Sequence, residues 1–334
     1  MVARTAQVSR VAVSRAFNPH ASIKPEKRDL ILRIAQELNY TPDMAARSMV
    51  TGRSHLVGVI VPDVCSPWES QELDALTTAL QAEGFATLLF KTRTDLSMDE
   101  TLLTYMKGFN PDSVIAFTEN VRPQKLGRVL DRAVPIYVSY PHGADGPPVP
   151  DTSGPLIDHL NVLQRAGIEQ AIALAQGYGA RRFAFLSGAP HSLATVERQL
   201  TMTSILAERG LPPPVIIPGD FTYDTAFRAT IELFSSDPDP VDAIFAANDV
   251  GAFGAMDALR HELGRRVPQD VKVIGFDDIQ QAAWKSYNLT TVKIDLNERV
   301  QALIRLILRR LKTPNAPSMT ETLSTRLVVR GTVG

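Results

Sequence analysis

Residues 56–63 read LVGVIVPD, a run of small and apolar side chains closed by Pro62. A strand with one face in water would alternate polar and apolar residues; an unbroken run suits one covered on both faces, as in parallel sheets. The next eighty residues keep that grammar. Pro67 to Gly84 reads as an amphipathic helix, Thr87 to Phe90 as a strand and Glu100 to Lys107 as a helix. Ser113 to Phe117 is then a strand, Gln124 to Arg132 a helix and Pro135 to Val138 a strand. Strands separated by helix-length connections predict an α/β fold with a doubly wound parallel sheet.

The stretch PHGADGPPVPDTSGP, residues 141–155, is rich in turn formers and resets the count. Beyond it comes a second series: helix 166–176, strand 183–186, helix 194–209, strand 215–217, helix 225–234, strand 243–245, helix 251–263 and strand 271–275. Two such halves in tandem put a cleft between them, faced by strand ends and their loops. The last part, a strand at 291–295, a helix at 296–312 and a strand near 326–330, is expected to cross back and close both halves.

Upstream of His55 the pattern is different. Ser9 is a suitable N-cap for the stretch SRVAVSRAFN, on which Val13 and Phe17 share a helical face, and Asn18-Pro19 ends it. Pro25 opens a second helix with Leu30, Ile31, Ile34, Ala35 and Leu38 as its apolar stripe. Asp43 to Val50 is a third short candidate, closed by Gly52. Up to His55 the chain carries a net charge of +5, and the remainder carries −6, so a polyanion partner is expected for the head alone. A short helix, a turn at Gln7-Val8 and a second helix from Ser9 form a helix-turn-helix, whose second helix offers its first side chains to base edges. Arginines such as Arg10 and Arg15 can pair with guanine, Val11 can touch a thymine methyl, and Ser9 and Ser14 suit phosphate oxygens.

Other classes are disfavoured. The 334 residues are 44% hydrophobic and 21% charged, with no apolar run long enough to span a bilayer. The start has no apolar segment of the kind a secretory signal needs, so a cytoplasmic location is expected. A single cysteine, Cys65, allows neither an internal disulfide nor a cysteine metal cluster. The glycines of GYGARR precede a strand, where a dinucleotide site must come after one, and no phosphate-loop, nucleophile-elbow or zinc-protease motif is present. Asp63, Asp249 and Asp277 could converge on the cleft as the carboxylates of a glycosidase do, but binding a polyol accounts for them equally well.

Four motifs in register, VARTAQVSRVAVSRAFN (2–18), AARSMVTGRSHLVGVIVPD (45–63), FAANDVGAFGAM (245–256) and VIGFDDI (273–279), resemble the LacI/GalR family of bacterial transcription regulators. The likeness extends over nearly the whole length. It implies a helix-turn-helix DNA-binding domain at 1–40 and a hinge helix and linker at 41–54. The remainder, 55–334, would be an effector-binding and dimerisation body of periplasmic-binding-protein type. The body divides into an N-subdomain, about 55–162 and 291–320, and a C-subdomain, about 163–290 and 321–334. Operator contacts fall on Ser9, Arg10, Val11, Ser14, Arg15 and Asn18, with Met49 as an apolar wedge in the minor groove.

The effector pocket implied is Ser66, Trp68, Arg198, Phe221, Asn248 and Asp277. An aromatic ring there suits a pyranose face, amide and carboxylate suit hydroxyls, and an arginine could clamp an acid group. The expected effector is a sugar, sugar acid or sugar phosphate, with no metal or other cofactor. The partners are a pseudo-palindromic operator and a second copy of the chain, with pairing of dimers left open. Repression is the regulatory sign the resemblance implies. The alternative is a solute-binding protein without DNA-binding activity. The sequence departs from the family pattern in several places. Its first helix is already under way at Met1, and Gln7 stands for a usual glycine. Lys24 stands for a capping serine, Leu163-Gln164 for a frequent Asp-Asn, and Ile294 for a polar pocket residue.

Overall fold

The turn before the second short helix holds Gln7 at φ 52, a left-handed backbone that costs a side chain-bearing residue more than glycine. Around that turn three helices, α1 (Val2–Thr5), α2 (Arg10–Ala16) and α3 (Pro25–Glu37), bury Val2, Ala6, Val13, Ala16, Ile31 and Ala35 in one small core. Ser9 caps α2 by accepting from the Ala12 amide at 3.2 Å. Lys24, at the start of α3, provides no side-chain cap. The computed structural model describes residues 1–17, 21–40, 52–61, 64–92, 100–117, 134–139, 157–190 and 192–334. The expected helices at 43–50 and 124–132 and the turn-rich stretch at 141–155 lie outside them. The chain divides into two units, Met1–His55 and Leu56–Gly334.

The second unit contains two six-stranded sheets. The first is built from β1 (Leu56–Val61), β2 (Ala86–Lys91), β3 (Ser113–Ala116), β4 (Val134–Ser139), β5 (Asp158–Leu163) and β11 (Thr320–Ser324). Their order is β11-β5-β4-β3-β1-β2 and every pair is parallel. The unbroken apolar run of β1 now has its reason. Val57, Val59 and Val61 face one core with Leu76 and Leu80 of α4 (Pro67–Ala82) and with Leu303 and Leu306 of α10 (Leu296–Lys312). Ile60 faces the other, with Leu103 and Met106 of α5 (Glu100–Gly108).

The second sheet comprises β6 (Phe183–Leu186), β7 (Val215–Ile217), β8 (Ala243–Ala246), β9 (Lys272–Asp277), β10 (Thr290–Lys293) and β12 (Arg326–Val328). Its order is β12-β10-β9-β8-β6-β7, parallel except for the antiparallel pair of β10 and β12. Helices α6 (Arg165–Gly177) and α7 (Leu193–Glu208) cover one face. The other is covered by α8 (Tyr223–Ser236) and α9 (Asp249–Asp257), and a π-helical turn, Ala258–Glu262, continues α9.

The chain passes between the sheets three times: after Leu163, after Lys293 and at Thr325. This corrects the subdomain limits expected from sequence. Residues 291–293 belong to the second sheet, because β10 pairs along β9 from Thr290 opposite Ile274 to Lys293 opposite Asp277. Residues 321–324 belong to the first, because β11 pairs with β5.

Thr325 ties two passages together. Its amide donates to Leu163 O at 3.0 Å and its hydroxyl to Gln164 O at 2.9 Å, while the Gly167 amide donates to that hydroxyl at 3.2 Å. A side chain at Gly167 would meet Val292 Cγ1 at 2.4 Å, so the passages are packed against each other. Two buried ion pairs hold α10, one to the first sheet and one to α4. Arg310 forks onto Asp158 of β5, with Nε to Oδ2 at 3.0 Å, and Arg299 pairs with Glu72 of α4.

Candidate binding cleft and nucleic-acid interface

In the head, helix α2 has its core face set by Val13 and Ala16, which are buried. Ser9, Arg10, Val11, Ser14 and Arg15 are all exposed, and Val11 keeps 60% of its surface in water. A capped helix with an exposed valine between arginines is poor packing surface but good base-reading surface. Among the described residues no ion pair engages Arg10 or Arg15. Asn18 and Met49 lie outside the described residues.

In the body, Arg198 of α7 is the centre of the site although only 5% of it is exposed. Its Nε donates to Gln164 Oε1 at 2.8 Å, its Nη1 donates to Ala247 O, and its guanidinium lies 3.7 Å from the ring centre of Phe276. Its Nη2 stands 3.9 Å from Asp277 Oδ1, at the end of β9. Asn248 caps α9 by accepting from the Gly251 amide at 2.8 Å, and its Nδ2 donates to Phe221 O at 3.0 Å. Phe221 has φ 71 and Asp277 φ 120, so two site residues are held in left-handed backbone, the kind of strain that collects at functional sites.

The opposite wall is the start of α4. Trp68 belongs to a helix of the first sheet, yet it packs against the apolar clusters of the second, so its indole crosses the cleft. The Arg299 guanidinium carbon is 5.9 Å from its ring centre. Ser66 precedes α4 and donates to Glu69 instead of capping the helix. Phe221 closes another side: a side chain at Gly188 would strike its ring at 2.2 Å and Thr195 Oγ1 at 2.5 Å.

The electrostatics arise from burial. Burial lifts the Asp277 carboxyl well above the usual carboxylate range; Arg198 and Arg299 oppose the shift, and Asp249 and Glu69 reinforce it. Asp249 is pushed up to about 7, again by burial first, although Thr291 Oγ1 at 2.5 Å and the Ile279 amide at 2.9 Å both donate to it.

The structure therefore brings Trp68, Arg198, Phe221, Asn248 and Asp277 together, with Ser66 joined to them through Glu69. Asp249 turns away from ligand chemistry. Both its oxygens are engaged with backbone and Thr291, and any side chain at Gly275 would meet its Oδ1 at 2.1 Å. It fixes the start of α9 to β10 and the chain after β9; Asp63 lies outside the described residues. Gln164, Glu69 and Gly188 belong to the neighbourhood and were not selected from sequence. Gln164 was visible only as a departure from an Asp-Asn pattern, and Glu69 only as the residue after Trp68. Ile294 is buried in the core, as its apolar side chain requires.

A model of the bacterial regulatory proteins of the lacI family matches residues 2–43, and a model of the periplasmic binding protein-like domain matches residues 175–333. The HTH-type transcriptional regulator CelR of Thermobifida fusca is 32% identical over 337 residues, spanning 99% of this chain and 96% of its own. The chain belongs to the lacI family.

This lacI-family regulator shares the fold of the Lac repressor dimer bound to operator and the anti-inducer ONPF, with a TM-score of 0.84 at 20% identity over 99% of this chain and 97% of that one. The CelR–cellobiose complex is also similar, with a TM-score of 0.67 at 27% identity over 99% and 98% of the two chains. The match of the head to the lacI model disfavours a solute-binding protein without a DNA-reading domain. No described helix is long and apolar enough to cross a membrane.

Proposed function

We propose that this chain is a repressor that holds a pseudo-palindromic operator as a homodimer and responds to a neutral sugar in the cleft between its two sheets. The observation that carries the sugar reading is the constellation around Arg198. Trp68 and Phe221 supply aromatic faces, Asn248 and Asp277 suit hydroxyls, and the Arg198 guanidinium is already engaged by Gln164, Ala247 O and the Phe276 ring. With the Arg198 guanidinium engaged by protein groups and Arg299 paired with Glu72, the site favours an uncharged polyol over a sugar acid or phosphate. The cellobiose complex of the similar CelR supports a sugar.

In the head, Ser9, Arg10, Val11, Ser14, Arg15 and Asn18 read or position the half-site. Residues 41–54 serve as the hinge, and Met49 as its wedge. One α2 covers only a half-site, which is why two copies are required. Ligand-dependent closure of the cleft biases the population competent for DNA. The assigned effector residues, Ser66, Trp68, Arg198, Phe221, Asn248 and Asp277, have binding roles only, and no catalytic step is assigned to them.

The test is fluorescence anisotropy of the full chain on DNA from upstream of its own gene, at two salt concentrations, with and without cellobiose, lactose, ribose and glucose. Tight, salt-weakened binding that one sugar changes is expected. Binding insensitive to salt removes the operator reading, and operator binding unmoved by every sugar removes the effector reading. Met49→Ala is expected to weaken operator binding and leave sugar binding intact.

A further inference from the structure

Two buried polar groups beside Arg198 have no hydrogen-bond partner among the described residues, Gln164 Nε2 and Thr195 Oγ1. Each residue is 3% exposed, so bulk water does not satisfy them. The orientation of the Gln164 amide is dictated by its neighbour. Arg198 Nε is a donor at 2.8 Å and requires the carbonyl oxygen, which leaves the NH2 group as the orphan. Thr195 lies one turn before Arg198 on α7, on the same helical face. Its hydroxyl and the ring of Phe221 border the same small space over Gly188. Buried donors left unmade are rare and costly to folding, so each calls for a partner that the folded chain alone does not supply.

We infer that Gln164 Nε2 and Thr195 Oγ1 are effector-binding groups that hold two oxygens on one edge of a neutral sugar; this rests on the sugar reading above. The amide can only donate, so it takes a hydroxyl or ring oxygen as acceptor; the threonine hydroxyl can donate or accept, so it takes a neighbouring hydroxyl. Gln164 thereby gains a second duty. It keeps Arg198 in place through Oε1, and its backbone carbonyl is held by Thr325 where the chain passes between the sheets. A ligand on its amide is thus one residue from the point about which the two halves close.

The experiment uses the full chain, Gln164→Glu and Thr195→Val, melted without sugar and titrated calorimetrically with cellobiose, lactose, ribose and glucose separately. Glutamate keeps an oxygen for Arg198 and exchanges the donor for an acceptor, at the cost of a carboxylate beside that cation; valine keeps the shape of threonine and removes only the hydroxyl. Thr195→Val is expected to melt at or above the wild-type temperature, since it deletes an unsatisfied group. Each variant is expected to bind the responding sugar about tenfold more weakly, the usual worth of one neutral hydrogen bond. Thr195→Ser is expected to restore binding. Wild-type affinity in both Glu and Val variants overturns the inference, and so does a large fall in the melting temperature of Thr195→Val, which marks its hydroxyl as structural. If the wild type binds none of the four sugars, the sugar reading itself falls and the inference falls with it.

Discussion

Arg198 and Asp277 face each other across 3.9 Å, both buried and neither fully engaged with the other. That gap is longer than a hydrogen bond and leaves room for a hydroxyl that accepts from the guanidinium and donates to the carboxylate. Asp277→Asn should weaken sugar binding about tenfold or more while leaving the fold intact, since Arg198 keeps Gln164 and Ala247 as partners. Arg198→Met should instead lower stability, because it removes the donor to Gln164 Oε1 and Ala247 O and one of the two cations acting on Asp277. Urea unfolding together with calorimetry separates the two effects.

The buried carboxyl of Asp249 makes stability depend on pH in an unusual direction. Its folded pKa, raised to about 7, lies above its unfolded value, so the folded state binds the extra proton between the two. Stability therefore falls as pH rises from about 4 to about 7, by about 1.4 kcal/mol per pH unit at most for one group. Asp249→Asn should flatten that slope, whatever it does to the absolute level. Urea midpoints at half-unit pH steps measure it; an unchanged slope would show that Asp249 is ionised throughout.

On operator DNA, Arg10→Ala and Arg15→Ala should each cost about 1–3 kcal/mol on the preferred site and much less on random DNA, since base-edge contacts specify. Ser14→Ala, which removes the hydroxyl proposed to hold a phosphate, should weaken both kinds of site alike. Anisotropy with matched specific and scrambled duplexes gives the ratio. Equal losses on both duplexes for Arg10→Ala would assign that residue to the backbone.

The fork of Arg310 on Asp158 is buried at both ends. Asp158→Ala should destabilise the body by about 3–5 kcal/mol, leaving sugar affinity of the folded fraction unchanged. Pairing it with Arg310→Met should recover part of the loss, because the stranded charge is gone. Thermal melts of the two variants decide the matter: no recovery would mean that Arg310 acts through its carbonyl contacts at Ala316 and Pro317.

Much of this body was legible because its strands are short apolar runs between amphipathic helices: β1, β3, β6 and β8 have no other reading. The two strands that sequence reasoning missed are polar. β5 reads DHLNVL, with Asp158 buried against an arginine 152 positions away, and β11 reads TETLS at a sheet edge. Neither pattern announces a strand, because what stabilises each is a partner far along the chain. The same limit governs the site. Arg198, Asn248 and Asp277 stood in recognisable motifs, but Gln164 and Thr195 are ordinary polar residues until the fold strips their groups of water. Gln7 was visible as a substitution for glycine; that it retains the left-handed turn is a property of the backbone.

The position of the last two strands has a consequence for synthesis. β11 and β12 are edge strands of different sheets, and both come from residues 320–328. Neither sheet is complete, and Thr325 cannot lock the passages between them, until the chain through residue 328 has left the ribosome. The nascent body therefore emerges with two unfinished parallel sheets, and a transcript truncated before codon 320 yields neither half intact. Loss of these last fifteen residues removes one edge strand from each sheet at once.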